Sequence, residues 1–407
     1  MNNYFYKIFV LIPIFSILNF LILINNSDAQ WVQTNGIYGS TIFSLAVSGN
    51  NIFAGTSQYG VYISTNNGSS WVQTALNNRN VRSFAVNGNN IFAGTDEYGV
   101  YLSTNNGSSW TQTALYYTTV WSLAISGNNI FAGTDNGVYL STNNGSTWTQ
   151  TALTETIVSS LAINGNNIFA GTWDGAYLST NNGSSWIQIG LYDKDVYSFA
   201  VSGNNIFAGT DNGVYLSTNN GSSWTQTGFN NQYIYSLAVN GNYIFAGTQN
   251  YPSGSCGVYL STNNGSSWIQ KNEGFNVIPT INALLIANNY IFAGTYEQSV
   301  WRRLYSEIIN SMQDISTGVP SAFSLEQNYP NPFNPITKIR FDLPKNVNVK
   351  LTIYDMLGRE VETIVNEQLN AGSYEVTFDG TKYTSGVHYY RLNAGDFVET
   401  KKMILLK

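Results

Sequence analysis

Ten acidic residues between positions 31 and 304 are the side chains with the most chemical potential: Asp96, Glu97, Asp135, Glu155, Asp174, Asp193, Asp195, Asp211, Glu273 and Glu297. Two carboxylates facing each other across a sugar ring make a glycosidase. Asp135 and Asp211, however, sit in Asp-Asn-Gly turns, where Asp shapes the chain. The arginines of this region are Arg79, Arg82, Arg302 and Arg303, in two separate pairs, which disfavours a cluster gripping one carboxylate. The single histidine, His388, and the single cysteine, Cys256, fall in different regions, so neither nucleophile–base pairing nor metal-ligand spacing arises. No metal or cofactor is expected. His388 reads as a partly exposed strand residue and Cys256 as an incidental thiol in the insertion YPSGSCG.

The elements that must position these groups come from a repeat. IFAGT starts at Ile52, Ile91, Ile130, Ile168, Ile206, Ile244 and Ile291, and STNNG starts at Ser64, Ser103, Ser141, Ser179, Ser217 and Ser261. Each unit has four short β-type pieces joined by Asn/Gly turns, as in VWSLAIS, IFAGT, VYLS and TWTQT, the pattern of an antiparallel meander. The last unit lacks its fourth strand, and an orphan WVQT stands at Trp31–Thr34 ahead of the first. Together they complete seven sheets of four, predicting an all-β seven-bladed β-propeller over 31–305, closed by the N-terminal strand. An open solenoid is the alternative.

The hairpin STNNGSSW resembles the Asp-box, or bacterial neuraminidase repeat (BNR repeat), with Asn66 where that pattern has Asp. Ser64, Asn66, Gly68 and Trp71 carry the match in the first copy, and Trp110, Trp148, Trp186, Trp224 and Trp268 end the others. The resemblance is closest to secreted propellers related to photosystem II assembly factors, sortilins and xyloglucanases. It implies a structural hairpin. The residues agree: Asn supports an Asx-turn, Gly takes positive φ, and Trp packs against the blade. Neutral Asn gives a hard cation little to bind.

The copies differ on one face only. Loops between strands 1 and 2 and between 3 and 4 are nearly constant, whereas those joining 2 to 3 and 4 to 1 vary and carry Tyr38, Tyr59, Tyr98, Tyr116, Tyr117, Trp173, Tyr192, Tyr233, Tyr251, Phe275 and Tyr296. A position near the start of each innermost strand holds Phe43, Arg82, Trp121, Ser159, Tyr197, Tyr235 and Asn282 in turn. In a closed ring these circle the mouth of the central channel. Diversified loops on a rigid scaffold are where recognition resides, and aromatic faces suit sugars or peptides. The candidate ligand-binding residues are Phe43, Arg82, Trp121, Trp173, Tyr197, Tyr235 and Tyr296.

Residues 1–29 read as a signal peptide: Lys7, an apolar run from Ile8 to Ile24, then Ser27 and Ala29 before cleavage ahead of Gln30. An uncleaved anchor is the rival. The net charge of −6 lacks the basic footprint of nucleic-acid binding, and no other stretch is apolar enough to span a membrane.

A polar linker, 306–323, with a possible short helix leads to a tail, 324–407, patterned as about seven strands of a small Ig-like β-sandwich. NYPNPFNP at Asn328–Pro335, IYDMLGREV at Ile353–Val361, SGVHYYRL at Ser385–Leu392 and the terminal KKMILLK resemble the C-terminal sorting domain of type IX secretion cargo. That resemblance implies recognition by the outer-membrane translocon and delivery to the cell surface or medium. The expected function is an exported, monomeric recognition propeller for a glycan or peptide. A glycoside hydrolase with a carboxylate pair on the variable face and a ligand-free structural surface protein are the alternatives.

Overall fold

The computed structural model describes residues 30–249, 256–309, 313–314, 320–369 and 371–407. The signal peptide and Tyr251 lie outside these. Among the described residues, seven four-stranded sheets precede two more. The first blade contains Ile42–Ser48, Asn51–Thr56, Val61–Ser64 and Val72–Gln73. Blades 2 to 7 follow with inner strands Val81–Asn87, Val120–Ser126, Val158–Asn164, Val196–Ser202, Ile234–Asn240 and Ile281–Ala287. Blade 7 takes its outer strand from the N-terminus: Val32 pairs with Arg302 and Gln33 with Trp301. The orphan strand closes the ring.

The core lies between blades, which explains why IFAGT is continuously apolar rather than alternating: both faces of that strand are covered. In the first copy Phe53 packs with Val81, Ile91 and Ala93 of blade 2, while Ile52 and Ala54 pack with Phe292 and Val300 of blade 7. The glycine of this strand allows the next blade to approach. A Cβ on Gly55 would lie 2.5 Å from the Val81 carbonyl oxygen.

The repeated hairpin is a hydrogen-bonded knot. Ser64 Oγ donates to Asn66 Oδ1 (2.9 Å) and accepts from the Gly68 N–H (2.8 Å), and Asn66 Oδ1 accepts from the Ser70 N–H (3.0 Å). Asn66 Nδ2 adds a bond to Ser70 Oγ (2.9 Å), a donor that a carboxylate would lack. Gly68 has φ of 74° and faces the Phe292 ring.

The tryptophans do more than pack on their own blade. Trp71, Trp110, Trp148 and Trp186 donate Nε1 to Thr34, Thr74, Thr113 and Thr151 of the preceding outer strand. Where Ile189 replaces Thr, Trp224 Nε1 bonds the Ile189 carbonyl instead, and Trp268 bonds Gly265 O. Asn288 joins blade 7 to blade 1 on this constant face, donating to Asn50 O (3.3 Å) and Asn67 Oδ1 (3.2 Å).

After a short helix, Tyr305–Ile309, the tail forms a sandwich of two four-stranded sheets. Gln313–Asp314, inside the segment read as linker, adds a strand by pairing with Tyr374 and Glu375. His388 departs from expectation. It is buried on the inner side of Gly386–Ala394 and packs near Tyr383, because the strand alternates and His388 shares the inward phase of Tyr390 and Leu392. Cys256 is also buried, with Sγ 3.1 Å from Ile278 O, and burial pushes its thiol up. No helix among the described residues is long and apolar enough to cross a membrane.

Candidate functional site

Every inner strand has a register irregularity at the same place: between Ile42 and Ser44, Val81 and Ser83, Val120 and Ser122, and at the corresponding step in blades 4 to 7. The residue caught in each is the variable one. A bulge leaves its extra residue out of the ladder and re-aims the side chain, here into the mouth of the channel. Phe43, Arg82, Trp121, Trp173, Tyr197, Tyr235 and Tyr296 all line one cavity of about 660 Å³. Ser159 and Asn282 complete its bulge ring, and Gln249 and Thr280 join from neighbouring loops.

The cavity has two differing walls. On one, the Arg82 guanidinium lies over Phe43 (4.3 Å) and Trp121 (4.6 Å). It is not a free cation. Arg82 Nε and Nη2 donate to Asp96 Oδ1 and Oδ2 at 2.6 and 2.8 Å, and Asn80 Nδ2 also reaches Asp96 (3.0 Å). Its charge is neutralised within a planar pair, and it faces the cavity as a stacked wall. On the other wall Tyr197 meets Tyr235 edge-to-face at 4.9 Å and stacks on Tyr233 at 6.1 Å. Burial and a hydrogen bond to Asp195 (3.0 Å) push the Tyr197 hydroxyl well above its ordinary range.

Ser159 turns its hydroxyl to Val196 O (2.6 Å), and Asn282 donates to Ile42 O (3.2 Å) across the closing junction. Trp173 and Tyr296 are more than half exposed. Phe275, expected on this face, is instead packed between Trp31 (5.1 Å) and Trp301 (5.0 Å).

The variable loops are held from behind by a constant residue. The outer-strand glutamine donates Nε2 to a loop carbonyl in every blade: Gln73 to Tyr59, Gln112 to Tyr98, Gln150 to Asn136, Gln188 to Asp174, Gln226 to Asn212, Gln270 to Cys256 and Gln33 to Gln298. Its invariance among copies was the available sequence signal. Loops of blades 7, 1 and 2 place Glu297, Gln58 and Glu97 at positive φ. Their N–H groups are caught by Thr41, Asn80 and Thr119 of the following blade.

Several of the acidic residues are already engaged. Asp96 is held by Arg82, Asp135 by the Thr118 hydroxyl (2.7 Å) and Glu273 by Arg303 (2.7 Å). Asp211 is the exception, with Oδ1 buried and unpartnered. Burial raises its carboxyl, against an opposing pull from Lys194 and with an added push from Asp195. Asp195 is its neighbour in the same blade, joined by the Asp211 N–H to Asp195 carbonyl bond (3.1 Å). No group of three or more metal-ligating side chains occurs among the described residues.

The fold has relatives among solved structures. YCF48 from Cyanidioschyzon merolae is 14% identical, with a TM-score of 0.55 over 69% of this chain and 99% of its own; YCF48 has also been solved bound to D1 peptide. PorZ, described as an essential bacterial surface component of the type-IX secretion system of Porphyromonas gingivalis, is 14% identical, with a TM-score of 0.53 over 90% of this chain and 59% of its own. The extracellular domain of BT4673 from B. thetaiotaomicron is 19% identical, with a TM-score of 0.58 over 77% of this chain and 46% of its own. A search of curated proteins gives no match. Residues 327–406 match the family model of the secretion system C-terminal sorting domain. The chain is therefore a β-propeller that carries a type IX sorting domain at its C-terminal end, which implies export to the cell surface or the medium.

Proposed function

We propose that this protein is an exported recognition module that binds a glycan or peptide in the aromatic mouth of its propeller. A signal peptide at residues 1–29 takes it through the inner membrane, and the tail hands it to the type IX translocon. The carrying observation is the bulge ring: seven equivalent positions point into one cavity, and they are the positions at which the copies disagree. YCF48, a propeller of similar fold, has been captured with a peptide, which supports the use of such a scaffold for ligand capture. We read the mouth as non-catalytic, a reading supported by the commitment of Asp96 to Arg82 and by the placement of Asp195 and Asp211 side by side in one blade.

The test is a glycan and peptide array probed with the full chain. Binding is expected, and Trp121→Ala or Tyr197→Ala is expected to weaken it about 30-fold, the effect of losing about 2 kcal/mol at an aromatic anchor. A blank array, or variants that bind as the parent does, would remove the proposal. Turnover of an arrayed polysaccharide, abolished by Asp211→Asn, would instead establish the glycosidase.

A further inference from the structure

Beside the mouth, over the junction of blades 1 to 3, lies a second cavity of about 500 Å³. Arg82 and Trp121 line both cavities, so the stacked Arg82 wall is a shared partition and the two spaces adjoin. The second is polar: the side chains of Gln58, Asn78, Asn80 and Thr119 and the Arg82-paired carboxylate of Asp96 surround it, with Tyr98 as an exposed ring at its edge.

Arg79 is its distinguishing group. The guanidinium lies 3.9 Å over the Tyr98 ring, Nε reaches the Tyr101 hydroxyl (3.4 Å) and Nη1 donates to Asn78 O (2.9 Å). All these partners are neutral. Among the described residues no carboxylate stands at ion-pair distance from Arg79, whereas the neighbouring Arg82 has a complete bidentate partner in Asp96. Nε and Nη1 each already donate once, so the guanidinium offers a carboxylate its unpaired charge and its Nη2 group. Glu97, exposed on the same rim, sets a like charge near an acidic ligand.

We infer that this groove is a carboxylate subsite adjoining the mouth, and that the ligand is an acidic glycan containing uronic acid. The inference rests on the mouth being a binding site and adds the class of its ligand. The mouth supplies aromatic faces to a sugar ring, its one charged lining residue being already neutralised. The groove supplies Arg79 to the carboxylate of an adjoining sugar and planar amides to its hydroxyls. An acidic peptide would share the Arg79 contact but not the stacking of a sugar face on the mouth, and the two are separated by the test.

The test is calorimetric titration of the full chain with hexamers of galacturonate, mannuronate, guluronate and glucuronate, with their carboxyl-reduced counterparts, and with a poly-glutamate peptide. At least one acidic hexamer should bind more tightly than its reduced form, with an advantage that shrinks as sodium chloride rises from about 50 to 500 mM. Arg79→Gln should weaken that hexamer about tenfold, the scale of one lost charge-assisted contact, and leave the reduced form within about twofold. Glu97→Gln should tighten acidic binding by removing a like charge. Equal binding of acidic and reduced hexamers, or indifference to Arg79→Gln, would overturn the subsite while leaving the mouth as a binding site. Binding of poly-glutamate alone would overturn the glycan assignment, and no binding to any hexamer, acidic or reduced, would overturn the inference outright.

Discussion

Replacing Trp31 with alanine should cost about 3–5 kcal/mol of unfolding free energy, the range for removing a fully buried large aromatic. Trp31 fastens the two ends of the propeller. Its ring is 2% exposed and stacks on Phe275, Nε1 donates to Lys271 O (2.7 Å), and its N–H donates to Glu273 O (2.8 Å). The two-residue strand beside it holds Trp301 and Arg302, so losing the anchor leaves the edge of Val300–Leu304 open to another chain. Urea unfolding should show the drop together with concentration-dependent association. Trp31→Phe, which keeps most of the packing and loses the Nε1 bond, should cost only about 1 kcal/mol. A Trp31→Ala variant with the parent midpoint would mean that closure does not hold the ring.

Lys271→Met should do the opposite and stabilise the propeller at neutral pH by up to about 3 kcal/mol. Lys271 is 5% exposed beside the same junction. Burial lowers its ammonium from 10.5 to about 8, with Glu273 pulling the other way and Arg303 adding to the depression. That difference corresponds to about 3 kcal/mol of penalty on the charged form. Between pH 8 and 10.5 the unfolded chain binds more protons than the folded one, so stability contributed by this group rises with pH across that window and is lost again as pH falls back from 10.5 to 8. The parent should gain stability on going from pH 7 to 10 relative to Lys271→Met, whose own curve lacks that rise. Parallel curves for the two proteins would show that Lys271 is not a buried cation. Methionine suits the site because it fills the lysine stem's space without a charge.

The ring was legible in the sequence because repetition provides its own alignment: six hairpins, seven IFAGT strands and an orphan WVQT leave one way to count blades. The seven bulge positions were legible as variable positions for the same reason. The bulge that turns them inward was not, since two-versus-one pairing depends on the partner strand's register. Arg82 and Asp96 illustrate the limit. Arg82 sits in the bulge of its inner strand and Asp96 in the turn after the next strand, 14 residues apart, so their pairing depends on that bulge. Lys271 and His388 look exposable by type, and their burial is decided by contacts outside their own strands: the returning N-terminus for one and the facing sheet for the other. Gln313–Asp314 is too short to announce itself as a strand before Glu375 is there to pair with it.

Recognition on the variable face rather than through the repeated hairpins is the central claim, and one affinity comparison tests it most directly. The tightest ligand of the full chain should be titrated against Tyr197→Ala, in the mouth, and Asn128→Ala, in an exposed turn of the constant face. The account predicts about a 30-fold loss for the first and less than about a twofold change for the second, with both variants folded. Loss of affinity in Asn128→Ala with Tyr197→Ala unaffected would put the binding surface on the opposite face and contradict it.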